Sequence, residues 1–132
     1  MPAKTKTAKR RSVAKGGGDR AVPRLRIVMS KGLILGPGKV DLLEAIERKG
    51  SISGAAREMS MSYRRAWLLV EALNQMFARP LVLAAPGGAR GGGAQITEFG
   101  KGVAAAYRRI EQKTRTAIRE ELAPFDSKVD SR

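Results

Sequence analysis

The sequence predicts a mainly α fold with a small β-hairpin, a winged helix-turn-helix followed by a long C-terminal helix. Three features carry that prediction. The stretch from Ser51 to Trp67 is rich in small residues and broken by a short polar turn, as two steeply crossed helices require. Two short apolar runs flank a glycine-rich tip at residues 86–93, the pattern of a hairpin. From Val103 to Leu122, core-type residues recur at alternating intervals of four and three, which draws one stripe along a helix.

The elements follow in order. Residues 1–22 hold almost no large apolar side chains and cannot offset ordering entropy, so a basic disordered tail is expected. Leu25, Ile27 and Met29 alternate with Arg24, Arg26 and Val28, and a glycine-containing turn leads to Leu33-Ile34-Leu35, a short strand or hairpin. Gly36-Pro37-Gly38 is a break. Beyond it Val40, Leu43 and Ile46 have helical spacing, with Asp41, Glu44 and Glu47 on the other side, and the helix stops at Gly50. Ser51 is placed to cap a second helix that reaches Met59. A third begins near Ser62 and runs to about Phe77, before Arg79-Pro80 ends it. Leu81-Val82-Leu83 and Ala94-Gln95-Ile96 are the hairpin strands. Thr97 caps the long helix, and residues after Pro124 are expected to fray. The predicted organisation is a tail at 1–22, a winged helix-turn-helix at 23–96, a long helix at 97–123 and a flexible end at 124–132.

Composition narrows the function. A chain of 132 residues has room for one compact domain plus tails. No apolar run approaches the roughly 18 residues of a membrane span, and Met1 to Gly18 lacks the apolar core of a secretory signal, so a cytoplasmic protein is expected. The absence of Cys and His removes disulfides, thiolate metal sites, the usual general base and most transition-metal sites. No constellation of acid, base and nucleophile is visible, so neither an enzyme nor a bound cofactor or metal is expected. The net charge is +14, and the first twenty residues alone carry Lys4, Lys6, Lys9, Arg10, Arg11, Lys15 and Arg20 against Asp19. The remainder stays strongly basic, which attracts polyanions by counterion release. An anionic membrane would call for a basic amphipathic helix with bulky apolar anchors, and the tail has Ala, Thr and Gly instead. The tail reads equally as a nonspecific arm on DNA or as a solvated leader.

Residues 51–67 read SISGAAREMSMSYRRAW. Ala55, Ala56 and Ala66 would let two helix backbones approach, Met59 and Met61 would fill the space under the turn, and Ser62 would cap the second helix. With Val70 at the centre of the buried face, a step of about 100° per residue places Ala66, Leu73 and Phe77 on the same stripe. Arg64 and Arg65 then project outward from the first turn. There an arginine fork can read guanine, worth roughly 1–3 kcal/mol of discrimination, unless both are only solvated charges. Ser62 can bond a phosphate as well as cap. Tyr63 and Trp67 lie near the buried edge and fit either core packing or contact with a thymine methyl or sugar. Leu68 and Leu69 suit packing beneath the hairpin or against a partner.

The tip with Gly88, Arg90, Gly91, Gly92 and Gly93 has the character of a wing, whose amides approach phosphate while Arg90 enters the minor groove. A nucleotide-phosphate loop does not fit, because Gly100-Lys101 is followed by Gly102 and the glycine spacing is wrong. On the long helix the stripe Val103, Tyr107, Ile110, Thr114, Ala117 and Ile118 suits packing on a domain or on a twin helix.

The run GSISGAAREMSMSYRRAW, then LNQM, then PGGARGGGAQIT, resembles the N-terminal DNA-binding domain of ModE-type molybdate-responsive regulators, which is related to the LysR-type helix-turn-helix. The resemblance spans about residues 24–122. It implies a homodimer whose long helix pairs with its twin, with Ser62, Tyr63, Arg64 and Arg65 and the wing from Gly88 to Gly93 on double-stranded DNA. Molybdate-sensing members carry further C-terminal oxyanion-binding domains, which do not fit within 132 residues, so direct molybdate binding by this chain is not expected. The leading expectation is a sequence-specific transcriptional regulator on a palindromic operator. A nonspecific architectural DNA-binding protein is the alternative, and an adaptor whose core binds protein is a third class.

Overall fold

The computed structural model of the chain describes residues 21–85 and 93–130. The tail expected to be disordered, up to residue 20, and most of the glycine-rich tip, at 86–92, lie outside the described residues. The chain divides into two units, residues 25–108 and a second comprising 1–24 and 109–132.

The first unit opens with a minimal antiparallel hairpin, β1 (Ile27–Val28) against β2 (Ile34–Leu35), in the register Ile27 opposite Leu35. Helix α1 (Pro37–Lys49) begins with a proline, whose fixed φ suits a first turn, and ends on Gly50 at φ 73°. There the Gly50 N–H donates to the Ile46 carbonyl at 2.8 Å. Ser51 caps α2 (Ile52–Glu58) by accepting from the Gly54 N–H at 2.9 Å, and Ser62 caps α3 (Tyr63–Met76) by accepting from the Arg65 N–H at 3.0 Å. Strands β3 (Val82–Ala85) and β4 (Gly93–Ile96) pair antiparallel, Val82 opposite Ile96 and Ala85 opposite Gly93. Helix α4 (Glu98–Asp130) follows. Thr97 caps it through Oγ1, which accepts from the Gly100 N–H at 2.8 Å and donates to the Pro80 carbonyl at 2.9 Å, tying helix start to hairpin base.

One core runs through this unit. Val40, Leu42, Leu43 and Ile46 of α1 are fully enclosed and meet Ala55 and Ala56 of α2, Ala66, Val70 and Leu73 of α3, and Leu81, Val82 and Ile96 around the hairpin. Burying each large aliphatic side chain contributes about 1.5–3 kcal/mol. Gly100 is where α4 meets the residue just before β3, since a Cβ there would lie 2.5 Å from the Leu81 carbonyl oxygen. The two-strand, three-helix, hairpin and long-helix order is that of a winged helix-turn-helix.

Three expectations change. Tyr107, expected on a stripe for a domain or a twin helix, is 1% exposed within its own unit, and its hydroxyl donates to the Leu25 carbonyl at 2.7 Å. Val103 is half-buried against the same core. The first turns of α4 therefore pack on the domain's own core through Phe99, Val103, Ala104 and Tyr107. The helix also does not stop at Ala123 but runs through Pro124 to Asp130. Pro124 cannot donate to the Glu120 carbonyl, yet that stretch is exposed and water can satisfy the oxygen. On α3, Met76 is buried and Phe77 only half-buried, with its ring edge-on to Phe99 at 5.8 Å.

Candidate nucleic-acid interface

The corner between α2 and α3 is closed by backbone geometry. Ser60 adopts φ 56°, the Ser60 N–H donates to the Arg57 carbonyl at 3.2 Å, and the Met61 N–H reaches back to the Ala56 carbonyl at 2.9 Å. That pair of bonds is a Schellman ending, with serine where glycine is usual. Ala56 and Ala66 are buried on either side, so the two backbones approach closely, and Met59 and Met61 are half-buried against the core. The tight corner expected from the small residues is present.

With Ala66, Val70 and Leu73 facing inward, the first turn of α3 presents Ser62, Tyr63, Arg64 and Arg65 to solvent. Neither arginine side chain has a hydrogen bond or ion pair among the described residues. Tyr63 is 55% and Trp67 42% exposed, so the core reading of these aromatics falls away. Both line a cleft of about 370 Å³ between α3 and the hairpin, together with Val70, Asn74, Leu83 and Gly93. Leu69 packs on the core while Leu68 is exposed.

Asn74, which no sequence motif singles out, fastens α3 to β3. Its Oδ1 accepts from the Leu81 and Val82 N–H groups at 2.8 and 3.1 Å, and its Nδ2 donates to the Val82 carbonyl at 3.0 Å. Its only signal, an amide one turn before a helix end, has many other meanings. On the other strand, the Ala94 N–H donates to the Gly50 carbonyl at 3.0 Å and Gly93 bridges Ser51. The hairpin is thereby held to both ends of the helix-turn-helix. Gly93, expected in the loop, is the first residue of β4, while Gly88, Arg90, Gly91 and Gly92 lie outside the described residues.

Charge is sorted across this unit. Arg108 pairs with Asp41 at 2.6 Å and Glu44 at 2.8 Å, Lys101 with Glu98 at 3.2 Å and Glu47 at 3.9 Å, and Arg48 with Glu58. The Arg48 guanidinium, by hydrogen bond, holds the Glu58 carboxyl below the usual glutamate range. Most acids of the domain are thus committed to α4 and the back of α1. On Lys39, burial first, then Arg26 and Arg65 nearby, lower the ammonium pKa from the ordinary lysine value.

In the second unit, Ile110 and Ala117 are exposed while Thr114 and Ile118 are half-buried, and the Thr114 hydroxyl donates back to the Ile110 carbonyl at 2.8 Å. Among the described residues no group of His, Cys, Asp or Glu is placed to hold a metal, and no helix is long and apolar enough to cross a membrane.

Residues 38–101 of this arrangement are similar to the bacterial regulatory helix-turn-helix protein family of the lysR type. The proteins it is similar to include several named ModE, in line with the resemblance carried by the sequence motifs. The chain is 48% identical over 97 residues to the molybdenum-pterin-binding protein MopB of Rhodobacter capsulatus, covering 73% of this chain and 36% of that protein. It is 37% identical over 99 residues to the molybdenum transport protein ModE of Azotobacter vinelandii, covering 75% and 37%. The match thus spans about a third of the length of these relatives. Among solved structures, the full-length LTTR LysG from Corynebacterium glutamicum is similar over 67% of this chain and 30% of that one, at 28% identity and a TM-score of 0.46.

Proposed function

We propose that the chain is a sequence-specific DNA-binding transcriptional regulator, acting as a homodimer on a palindromic operator in the cytoplasm, and not an enzyme. The observation that carries this reading is the pair Arg64 and Arg65. Both are exposed and, among the described residues, free of ion pairs, on the first turn of a helix locked by Ser62, the Ser60 corner and Asn74. A groove-inserted helix touches bases with its first turn, and the planar arginine fork loses less entropy per hydrogen bond than a lysine would in a bidentate bond to guanine. Tyr63 adds an apolar contact for a thymine methyl, and Arg90 with Gly88 and Gly91–Gly93 supplies the wing on the adjacent backbone. Ile110, Thr114, Ala117 and Ile118 form the surface that meets the twin helix. ModE-type relatives, named as transcriptional regulators, support the same assignment.

Selection of bound sequences from a random DNA pool tests it. The expected result is one enriched motif with two-fold symmetry and half-sites about one helical turn, roughly 10 base pairs, or a multiple apart. Arg64→Ala with Arg65→Ala should abolish the preference and weaken nonspecific binding less. Enrichment of no motif, with affinity equal across sequences and steep in salt, would assign the chain to architectural binding instead.

A further inference from the structure

The cationic surface that includes Arg65 does not stop at α3. Arg26 precedes β1, and its side chain lies against Gly36, where a Cβ would be 3.9 Å from the Arg26 Cγ. Gly36 immediately precedes α1, whose first turn carries Lys39. Lys39 is half-buried and sits within electrostatic reach of both Arg26 and Arg65. Three elements far apart in sequence thus bring three cations to one place. None of the three side chains makes a hydrogen bond or ion pair among the described residues. Of the six acids in residues 25–108, Asp41, Glu44, Glu47, Glu58 and Glu98 are paired with other cations, and the sixth, Glu71, is not among the charges that act on Lys39. Like charges gathered without a counter-charge repel, and a fixed anion placed over them relieves the repulsion.

We propose that Arg26 and Lys39, beside the base-facing Arg65, form a second phosphate-binding surface that grips the DNA backbone next to the groove entered by α3. The inference rests on the reading of α3 as the helix that faces DNA. Residue 26 falls outside residues 38–101, where the LysR-type match lies. The chemistry is that of a phosphate oxyanion, and backbone contacts of this kind set register and affinity without reading sequence.

The test compares the whole protein with R26Q/K39Q, with the charge-conserving R26K/K39R and with R64A/R65A. Each is titrated against a duplex enriched from the random pool and a scrambled duplex of equal length, over a range of salt. Each phosphate contact contributes about 0.9 to the slope of log affinity against log salt. R26Q/K39Q should therefore flatten that slope by about 2 on both duplexes while keeping the ratio between them. R26K/K39R should retain the parent slope and melting temperature. If the double glutamine variant melts early, R26Q and K39Q alone should each flatten the slope by about 1. An unchanged slope in folded R26Q/K39Q, with sequence preference still lost in R64A/R65A, overturns this surface and leaves the α3 reading standing. Preference retained in R64A/R65A overturns the α3 reading, and this inference with it. Titration with inorganic phosphate at constant ionic strength should show no saturable binding. Saturation that R26Q/K39Q abolishes would assign the surface to a free oxyanion and overturn the DNA assignment.

Discussion

The two stretches of the long helix use the same sequence spacing for different ends. Between Phe99 and Tyr107, every apolar residue of the stripe finds its partner in the chain's own domain, and Tyr107 is sealed beneath the N-terminal hairpin. Between Ile110 and Phe125 the spacing continues, but Ile110, Leu122 and Phe125 are 41%, 39% and 66% exposed. A four-three repeat states only that one face is apolar. Whether that face is consumed within the chain or left for a second copy depends on where the rest of the domain ends.

The largest effect should come from the inner stretch. Tyr107→Ala removes a fully buried ring and is expected to cost about 3–5 kcal/mol, a large part of the stability of a small domain, read by urea or thermal unfolding. Tyr107→Phe, which leaves the Leu25 carbonyl without its donor, should cost only about 1 kcal/mol. Near-neutral behaviour of Tyr107→Ala would break the contrast outright. On the outer stretch, Ile110→Ser with Ile118→Ser should leave the melting of the dilute protein within about 0.5 kcal/mol of the parent. It should nevertheless weaken self-association at least about tenfold, the equivalent of roughly 1.4 kcal/mol, in sedimentation. Association equal to the parent's would remove this face from the twin contact.

The smallest effect belongs to the rim of the inner domain, where Glu58 meets Arg48. The glutamate is held below its ordinary value of 4.5, so its contribution is present above that pH and is lost as pH falls through the depressed value. Glu58→Gln should melt slightly earlier than the parent at pH 7, and the two curves should converge in acid. A gap that stays constant with pH would mean that packing rather than charge is lost. Convergence would sharpen the contrast by showing that the domain rests on its buried stripe and little on its ionic edge.

Much of the helix-turn-helix is legible in the order of residues. Ser51, Ser62 and Thr97 cap the helices expected of them, and Gly50 ends α1, because capping couples a side chain to amides only two or three residues away. The inward stripe of Ala66, Val70 and Leu73 is likewise a matter of helical angle. Asn74 is not legible in this way, since its partners at Leu81 and Val82 are met only after the chain reverses at Pro80. Tyr63 and Trp67 stand at the boundary of the buried face, and the hairpin's position, which opens a cleft beside them, decides their exposure. Pro124 misleads for a related reason: an exposed helix can pass a proline when water replaces the lost donor.

The amino-acid order alone determined where most helices start and stop, which face of each is apolar, and that an excess of cations would seek a polyanion. These are local or summed properties, set by neighbours a turn away or by composition. Only the tertiary arrangement decided which copy of a repeated stripe was spent at home, and that Arg26, Lys39 and Arg65 stand together. Such outcomes depend on contacts between residues distant in the chain, and periodicity carries no record of which distant surface will arrive.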